Sequence, residues 1–145
     1  VVYATADDIT ERRRAEEELR ASESKFQQVF MASPVAIAIT RLEDGRYIDI
    51  NDAFVDLFGW SREEAIGRSS VEMGKWIRPE DRQDWSNELK RRGRVANHEI
   101  ELRNKRGETL NVLFSAETIM LGREPCALVL SIDQTVRKQA ETALL

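Results

Sequence analysis

The side chains best suited to catalysis are scarce in this 145-residue sequence, which contains one histidine and one cysteine. His98 precedes Glu99, the order that opens a phosphoacceptor histidine box, but such a box lies on a helix and continues to Asn or Thr and then Pro. Here residues 98–103 alternate with a period of two, which predicts a strand, and no Pro follows. Cys126 opens another predicted strand beside Pro125, and a nucleophilic cysteine would need the single histidine as its base. We therefore expect no catalysis within this chain.

Signals for phosphate and metal chemistry are missing as well. The seven glycines are scattered among predicted turns, so no glycine-rich loop is present to cradle a phosphate. The acidic pairs at 7–8 and 63–64 lie where helices are predicted to begin, and carboxylates are favourable at that positive terminus. One cysteine excludes an internal disulfide and a cysteine-rich metal site, and it suits the reducing cytoplasm in which we expect this protein.

Overall charge and hydropathy narrow the partners. A hydrophobic fraction of 41% predicts a folded domain, while the formal net charge of -4 argues against nucleic-acid contact by this fragment. The basic clusters at 90–92 and 103–106 are interpreted as a solvated helix end and a turn. No run approaches the ~18 apolar residues of a membrane span, so no membrane segment is expected in this fragment.

Two segments at opposite ends of the chain resemble each other. Residues 8–16, DITERRRAE, align without gaps with residues 133–141, DQTVRKQAE, and each follows a short apolar run. The repeat predicts tandem domains; the alternative is a coincidence between two charged helices. The predicted boundaries are 1–6 for the last strand of a preceding domain, 7–30 for a linker helix, 31–135 for one complete domain, and 136–145 for the start of an exit helix.

The linker segment has the composition of a long signalling helix. Residues 7–30 contain no Gly or Pro and carry opposite charges four residues apart, such as Arg12 and Glu16. An apolar stripe recurs at alternating spacings of four and three, which is typical of a coiled-coil seam in a parallel dimer. We therefore expect a homodimer; the alternative is a single solvated helix. The predicted seam consists of Ala15, Leu19, Ser22, Phe26 and Val29.

The sequence after Pro34 predicts an α+β domain. Residues 35–39 and 47–50 read as a hairpin, several short helices follow, and three further strands are predicted between residue 98 and residue 132. Helix signals are clear at Asn51, at Ser61 with Glu64 three residues on, and at Pro79. The stretch 68–77 has no clear pattern. A five-stranded antiparallel sheet with helices on one face satisfies this order.

Five motifs in this order resemble the PAS sensory family over residues 22–141. They are NDAF at 51–54, FGWSREEAIG at 58–67, RPED at 78–81, the ELR strand ending KRG at 105–107, and the exit DQT at 133–135. Two positions depart from the family pattern, because Gln134 stands where Ile is common and Arg78 where His is frequent. The resemblance implies the PAS strand order 2-1-5-4-3 and a core that can admit a ligand.

The resemblance also bears on cofactors. The stretch after Gly67 contains no cysteine, so cysteinyl-flavin photochemistry is not expected, and the predicted helix from Pro79 contains no histidine for haem. Non-covalent flavin and a small metabolite stay open. The candidates for the pocket wall, each of which has ordinary core packing as its alternative role, are Ile39, Ile50, Phe54, Phe58, Met73, Trp76, Trp85, His98, Ile100, Val112, Phe114 and Leu128.

Together these features predict a sensory and dimerisation module that binds a small ligand or partner. The signal would leave through Asp133, Gln134 and Thr135 into the C-terminal helix. The resemblance implies an output domain in the same polypeptide, namely a histidine kinase, a diguanylate cyclase or a transcription regulator. The alternative is a ligand-free structural relay and interaction domain between tandem domains.

Overall fold

The computed structural model describes residues 6–144, which divide into two compact units, one ending at Ala32 and one beginning at Ser33. The first unit is helix α1, Ala6–Ala32. It begins one residue before the predicted linker helix and ends two residues after it. The predicted strand at 1–6 lies outside the described residues except for Ala6, which already belongs to α1.

Helix α1 exposes its predicted seam. All five seam residues are solvent-exposed within this chain, and Leu19 and Val29 are 61% and 64% exposed. Phe26, another of them, stacks on Phe30 with ring centroids 5.8 Å apart. The apolar stripe therefore exists on the helix, while its pairing with a second copy stays a prediction.

The second unit is built on a five-stranded antiparallel sheet in the order β2-β1-β5-β4-β3. This confirms the predicted fold class and strand order. Its elements are β1 Ala36–Arg41, β2 Tyr47–Ile50, α2 Asp52–Phe58, α3 Arg62–Ala65, α4 Pro79–Arg92, β3 Arg94–Arg103, β4 Thr109–Leu121, β5 Glu124–Asp133 and α5 Thr135–Leu144.

Short helices begin and end where the local chemistry predicts. The Asn51 side chain accepts from Phe54 N at 3.0 Å and caps α2, and Gly59 ends that helix at φ 87°, a conformation that favours glycine. Ser61 and Glu64 form the predicted capping box of α3. Hydrogen bonds from Lys105 Nζ and from the Ser61 backbone lower the pKa of Glu64 to about 2. These contacts fix where the helices sit along the sheet.

The core lies between the sheet and the helices α2 to α4. On β4, Val112, Phe114 and Ala116 are buried on one face, as the alternation predicts. On β3 only part of the predicted inward face is buried. His98 sits beside a bulge, its side chain is 39% exposed, and its Nε2 lies 3.0 Å from the Glu88 carboxylate.

The unassigned stretch between α3 and α4 is held by isolated contacts rather than by a regular element. Ser69 bridges to Arg46, and Trp76 bridges to Leu102 on β3. The backbone N–H of Lys75 donates to the Ser70 carbonyl at 3.2 Å. These contacts hold both ends of the connection against the sheet, and they place Lys75 and Trp76 towards the interior.

Candidate functional site

A cavity of about 50 Å³ lies inside the second unit between the sheet and α4. Its wall combines aromatic and aliphatic side chains with cationic and hydroxyl groups. Among the described residues that line it there is no Asp or Glu. The lining consists of Ala38, Thr40, Arg41, Leu42, Gly45, Tyr47, Phe54, Ser70, Lys75, Trp76, Arg82, Trp85, Ser86, Leu89, Leu102, Phe114, Val129 and Ser131.

Lys75 is the most unusual group on this wall, because its residue is only 5% exposed. Its Nζ donates to the Tyr47 hydroxyl at 2.9 Å and lies 3.7 Å from the centre of the Phe58 ring and 4.5 Å from that of Phe54. In the described part of the chain no carboxylate forms an ion pair with it. Burial lowers the pKa of Lys75 from 10.5 to about 7. The ammonium therefore changes charge near neutral pH.

Tyr47 stands beside Lys75 and is equally buried. Burial raises the pKa of its phenol above the ordinary value, although the nearby Arg82 guanidinium and a hydrogen bond with Ser70 act in the opposite direction. Ser70 Oγ in turn accepts from the Trp76 indole N–H at 2.8 Å. Tyr47 thus stays a neutral hydroxyl in a connected polar cluster.

Helix α4 contributes two donors without acceptors. Arg82 Nε and Trp85 Nε1 are both buried, and neither has a hydrogen-bond partner among the residues the structure describes. The Arg82 guanidinium packs against the backbone at Gly45, where an added Cβ would lie 2.8 Å from Nη2. Arg41 Nε also lacks an aligned hydrogen bond, but the Arg41 guanidinium differs from that of Arg82 because it forms ion pairs with Asp44 at 3.2 Å and with Glu124 at 2.6 Å.

The structure divides the predicted wall residues into those at the cavity and those elsewhere. Four line it: Phe54, Trp76, Trp85 and Phe114. Ile39 and Leu128 lie on the opposite face of the sheet, since their neighbours Ala38 and Val129 point to the cavity. The remaining candidates do not line this cavity, and they are Ile50, Phe58, Met73, His98, Ile100 and Val112.

The predicted exit residues form a compact connection at the end of β5. Asp133 Oδ1 accepts from the backbone N–H of Thr135 at 2.9 Å. Thr135 Oγ1 accepts from Asn111 N at 3.0 Å, and Gln134 N donates to Asn111 O at 2.7 Å. The start of α5 is therefore attached to both polar groups of one β4 residue.

A second contact attaches α5 to β3. Lys138 Nζ lies 2.9 Å from the Glu99 carboxylate, and this hydrogen bond raises the pKa of Lys138. Both groups are partly exposed, so the pair contributes little stability by itself. Its importance is geometric, because it adds a contact one turn after the backbone clamp.

The antiparallel order 2-1-5-4-3, the helices packed on the sheet and the cavity between them define a PAS-type fold. The family comparison agrees, since the PAS domain family matches residues 34–135. The chain belongs to the PAS domain family. Comparison with curated proteins returns no match.

Several solved PAS domains are similar to this chain. A PAS domain from Colwellia psychrerythraea is 25% identical, with a TM-score of 0.66 over 77% of this chain and 96% of that one. One from a two-component sensor histidine kinase is 16% identical, with a TM-score of 0.65 over 77% and 98%. One from a LuxR-family transcriptional regulator of Burkholderia thailandensis, solved in complex with ethanol, is 17% identical, with a TM-score of 0.61 over 74% and 96%. PAS domains in this group occur in signalling proteins.

Two negative findings apply to residues 6–144. None of the helices there is long and apolar enough to cross a membrane. The same residues contain no cluster of three or more His, Cys, Asp or Glu side chains that could hold a metal ion.

Proposed function

We propose that this PAS domain is a sensory module of a cytoplasmic signal-transduction protein, in which a small ligand binds the cavity and changes the position of α5. The observation that carries the proposal is that one strand serves both sites. On β4, Phe114 lines the cavity, while Asn111, three residues earlier, clamps the start of α5.

The contacts supply a route for the change. The Phe114 ring lies 5.0 Å from the Trp85 ring and 6.4 Å from the Trp76 ring, measured between centroids, and both tryptophans line the cavity. Strand β5 offers a parallel route, because Ser131 lines the cavity two residues before Asp133. A ligand that binds the two arrangements of this wall with different affinity would shift the equilibrium between them.

The partners follow from the same proposal. Two copies would pair through α1, and an output domain in the same polypeptide would receive the movement of α5. A histidine kinase, a diguanylate cyclase or a transcription regulator would serve, and similar solved domains come from the first and the last of these classes. In this scheme the domain regulates catalysis or DNA binding elsewhere and performs neither.

A cavity-filling substitution tests the route from the cavity to α5. Ala38→Val adds two methyl groups on the cavity wall, whereas Ala65→Val makes the same change at a buried position on α3 outside the cavity. We expect hydrogen exchange of the α5 amides to change at least threefold in Ala38→Val and to match wild type in Ala65→Val. Equal exchange in all three proteins would refute transmission from the cavity to α5.

The second candidate function is a ligand-free relay between tandem domains. It is favoured by the tight packing around the cavity, where Phe54, Phe58 and Leu89 are at most 2% exposed. Native mass spectrometry of protein purified from its source separates the two. A stoichiometric small molecule supports sensing, and a ligand-free protein that still shows the Ala38→Val effect supports the relay.

A further inference from the structure

The cavity wall includes N–H donors that lack an acceptor. Arg82 Nε, Trp85 Nε1 and the ammonium form of Lys75 can only donate, and the first two have no partner among residues 6–144. Buried donors in folded proteins are almost always satisfied. A molecule that complements this wall must therefore bring acceptor atoms.

The charge of the wall is also uncompensated. The Lys75 side chain, cationic when protonated, is buried at the cavity and the Arg82 guanidinium is half-buried there, and the described residues place no carboxylate on the lining. Charges taken out of water are normally paired, because an isolated buried ion is costly. Arg41 is an example of such pairing, because two acidic side chains form ion pairs with its guanidinium. An anion would do the same for Lys75 and Arg82.

Size and apolar contact narrow the class of anion. At roughly 10–15 Å³ for each water-sized group, a cavity of about 50 Å³ has room for about three to five such groups. The wall also carries apolar side chains, among them Leu89, Leu102 and Val129, beside the hydroxyl groups of Thr40, Ser86 and Ser131. A short alkyl tail carrying an anionic head contacts the apolar side chains as well as the donors, whereas an inorganic oxyanion leaves the apolar side chains without contact.

We propose that the ligand of this cavity is a small monocarboxylate, with its oxygens bound by Lys75, Arg82 and Trp85 and its short alkyl tail against the aromatic and aliphatic wall. The inference rests on the proposed sensory function and specifies the ligand class for it. The Tyr47 hydroxyl, which accepts from Lys75, orients the ammonium and is a positioning residue.

Binding of three probes to the intact chain tests the ligand class. Isothermal titration is carried out with sodium propionate, with its neutral isostere propionamide and with sodium nitrate. We expect the Kd of propionate to be at least tenfold lower than that of either comparator. Equal affinity for propionamide would overturn the requirement for an anion, and preferential binding of nitrate would overturn the requirement for an alkyl tail.

Two variants assign the binding groups. Arg82→Gln and Lys75→Met should each weaken propionate at least tenfold, while Arg91→Gln, an exposed position on the same helix, should leave the Kd unchanged. Circular dichroism establishes that each variant is folded. Wild-type affinity in Arg82→Gln would exclude this site even if propionate binds the protein.

The pH dependence adds a readout that a merely structural lysine would not give. The groups that face Lys75 are Tyr47 from β2 and the Phe54 and Phe58 rings from α2, with Arg82 of α4 acting on Tyr47. Because the anion binds the protonated lysine, propionate affinity should fall by up to tenfold for each pH unit above 7, and Lys75→Met should remove this slope. A flat profile in wild type would contradict the role of Lys75.

The ligand inference and the sensory function fail in different ways. If propionate binds but α5 exchange is unchanged, the carboxylate site stands and the sensory function falls. If no carboxylate binds while Ala38→Val alters α5 exchange, the ligand class is refuted and the route to α5 stands.

Discussion

Lys75 illustrates how two opposing effects set the charge of one buried group. The aromatic rings of Phe54 and Phe58 favour the ammonium, and such contacts contribute on the order of 0.5–2 kcal/mol. Burial of an ion costs several kcal/mol even after relaxation. Desolvation therefore dominates, and the pKa of Lys75 falls to about 7. Lys75 therefore exchanges between amine and ammonium near neutral pH, and a bound anion would favour the ammonium.

The depressed pKa makes the stability of the protein depend on pH. Between pH 7 and 10 the unfolded chain keeps a proton on Lys75 that the folded chain has lost, so raising the pH in this window favours the folded state. Relative to Lys75→Met, wild type should gain up to about 1.4 kcal/mol of unfolding free energy for each pH unit there. At pH 6 the variant should be the more stable protein by a few kcal/mol.

Urea denaturation at four pH values from 6 to 9.5 measures this difference. Lys90→Met is the matched control, because Lys90 is exposed on α4 and its replacement removes no buried charge. The control should track wild type at every pH. A constant gap between wild type and Lys75→Met would show that Lys75 titrates in the folded protein as it does in water.

At the scale of elements, Asn51 connects β1 to α2. Its Oδ1 accepts from Phe54 N at 3.0 Å and from Ile37 N at 2.9 Å, while its Nδ2 donates to Val35 O at 2.9 Å. The side chain is fully buried, so water cannot replace these bonds. One residue thus caps a helix and fixes the start of the strand beside it.

Asn51→Ala should lower the unfolding free energy by about 2–4 kcal/mol, since it removes a cap worth about 1 kcal/mol and leaves buried backbone groups unsatisfied. Asn87→Ala, at an exposed site on α4, is the control and should cost less than about 0.5 kcal/mol. Equilibrium urea unfolding compares them. If Asn51→Ala loses no more unfolding free energy than the control, the Asn51 hydrogen bonds do not stabilise the fold.

Elements with local signals were predictable from sequence, and the cavity cations were not. Ser61 and Glu64 predict a capping box from their spacing alone, and the alternation of residues on β4 predicts that Phe114 points inward. Lys75 follows a stretch with no periodicity, and a lysine by default predicts solvent exposure. Its burial depends on long-range contacts of the connection with β2 and β3, which no local pattern encodes.

The sequence did not show which residues of the neighbouring strands β1 and β5 face the helices, for a different reason. Residues 35–39 are apolar at every position, so alternation cannot show whether Ala38 or Ile39 faces the helices. The structure directs Ala38 inward together with Val129 of β5. The small residues on this inner face leave space for the cavity. A prediction that picks the largest apolar side chains as the pocket wall therefore misses them.

At the scale of the whole molecule, the exposed apolar stripe on α1 is the feature that favours pairing with a second copy of the chain. Leu19, Phe26 and Val29 are each more than half exposed, on a 27-residue helix that is otherwise strongly charged. A serine in the seam and only one leucine make this a weak coiled coil by itself. A pair of PAS domains in each dimer would therefore have to contribute to its stability.

Leu19→Glu places a like charge on both helices within the predicted seam, and it should weaken dimerisation at least tenfold. Multi-angle light scattering across a concentration series measures the mass. Ala21→Glu introduces the same charge two residues away, off the seam, and should leave the dimer intact. A Leu19→Glu protein with the mass of wild type at every concentration would show that α1 does not pair through this stripe, and the movement of α5 would then have to act within a single chain.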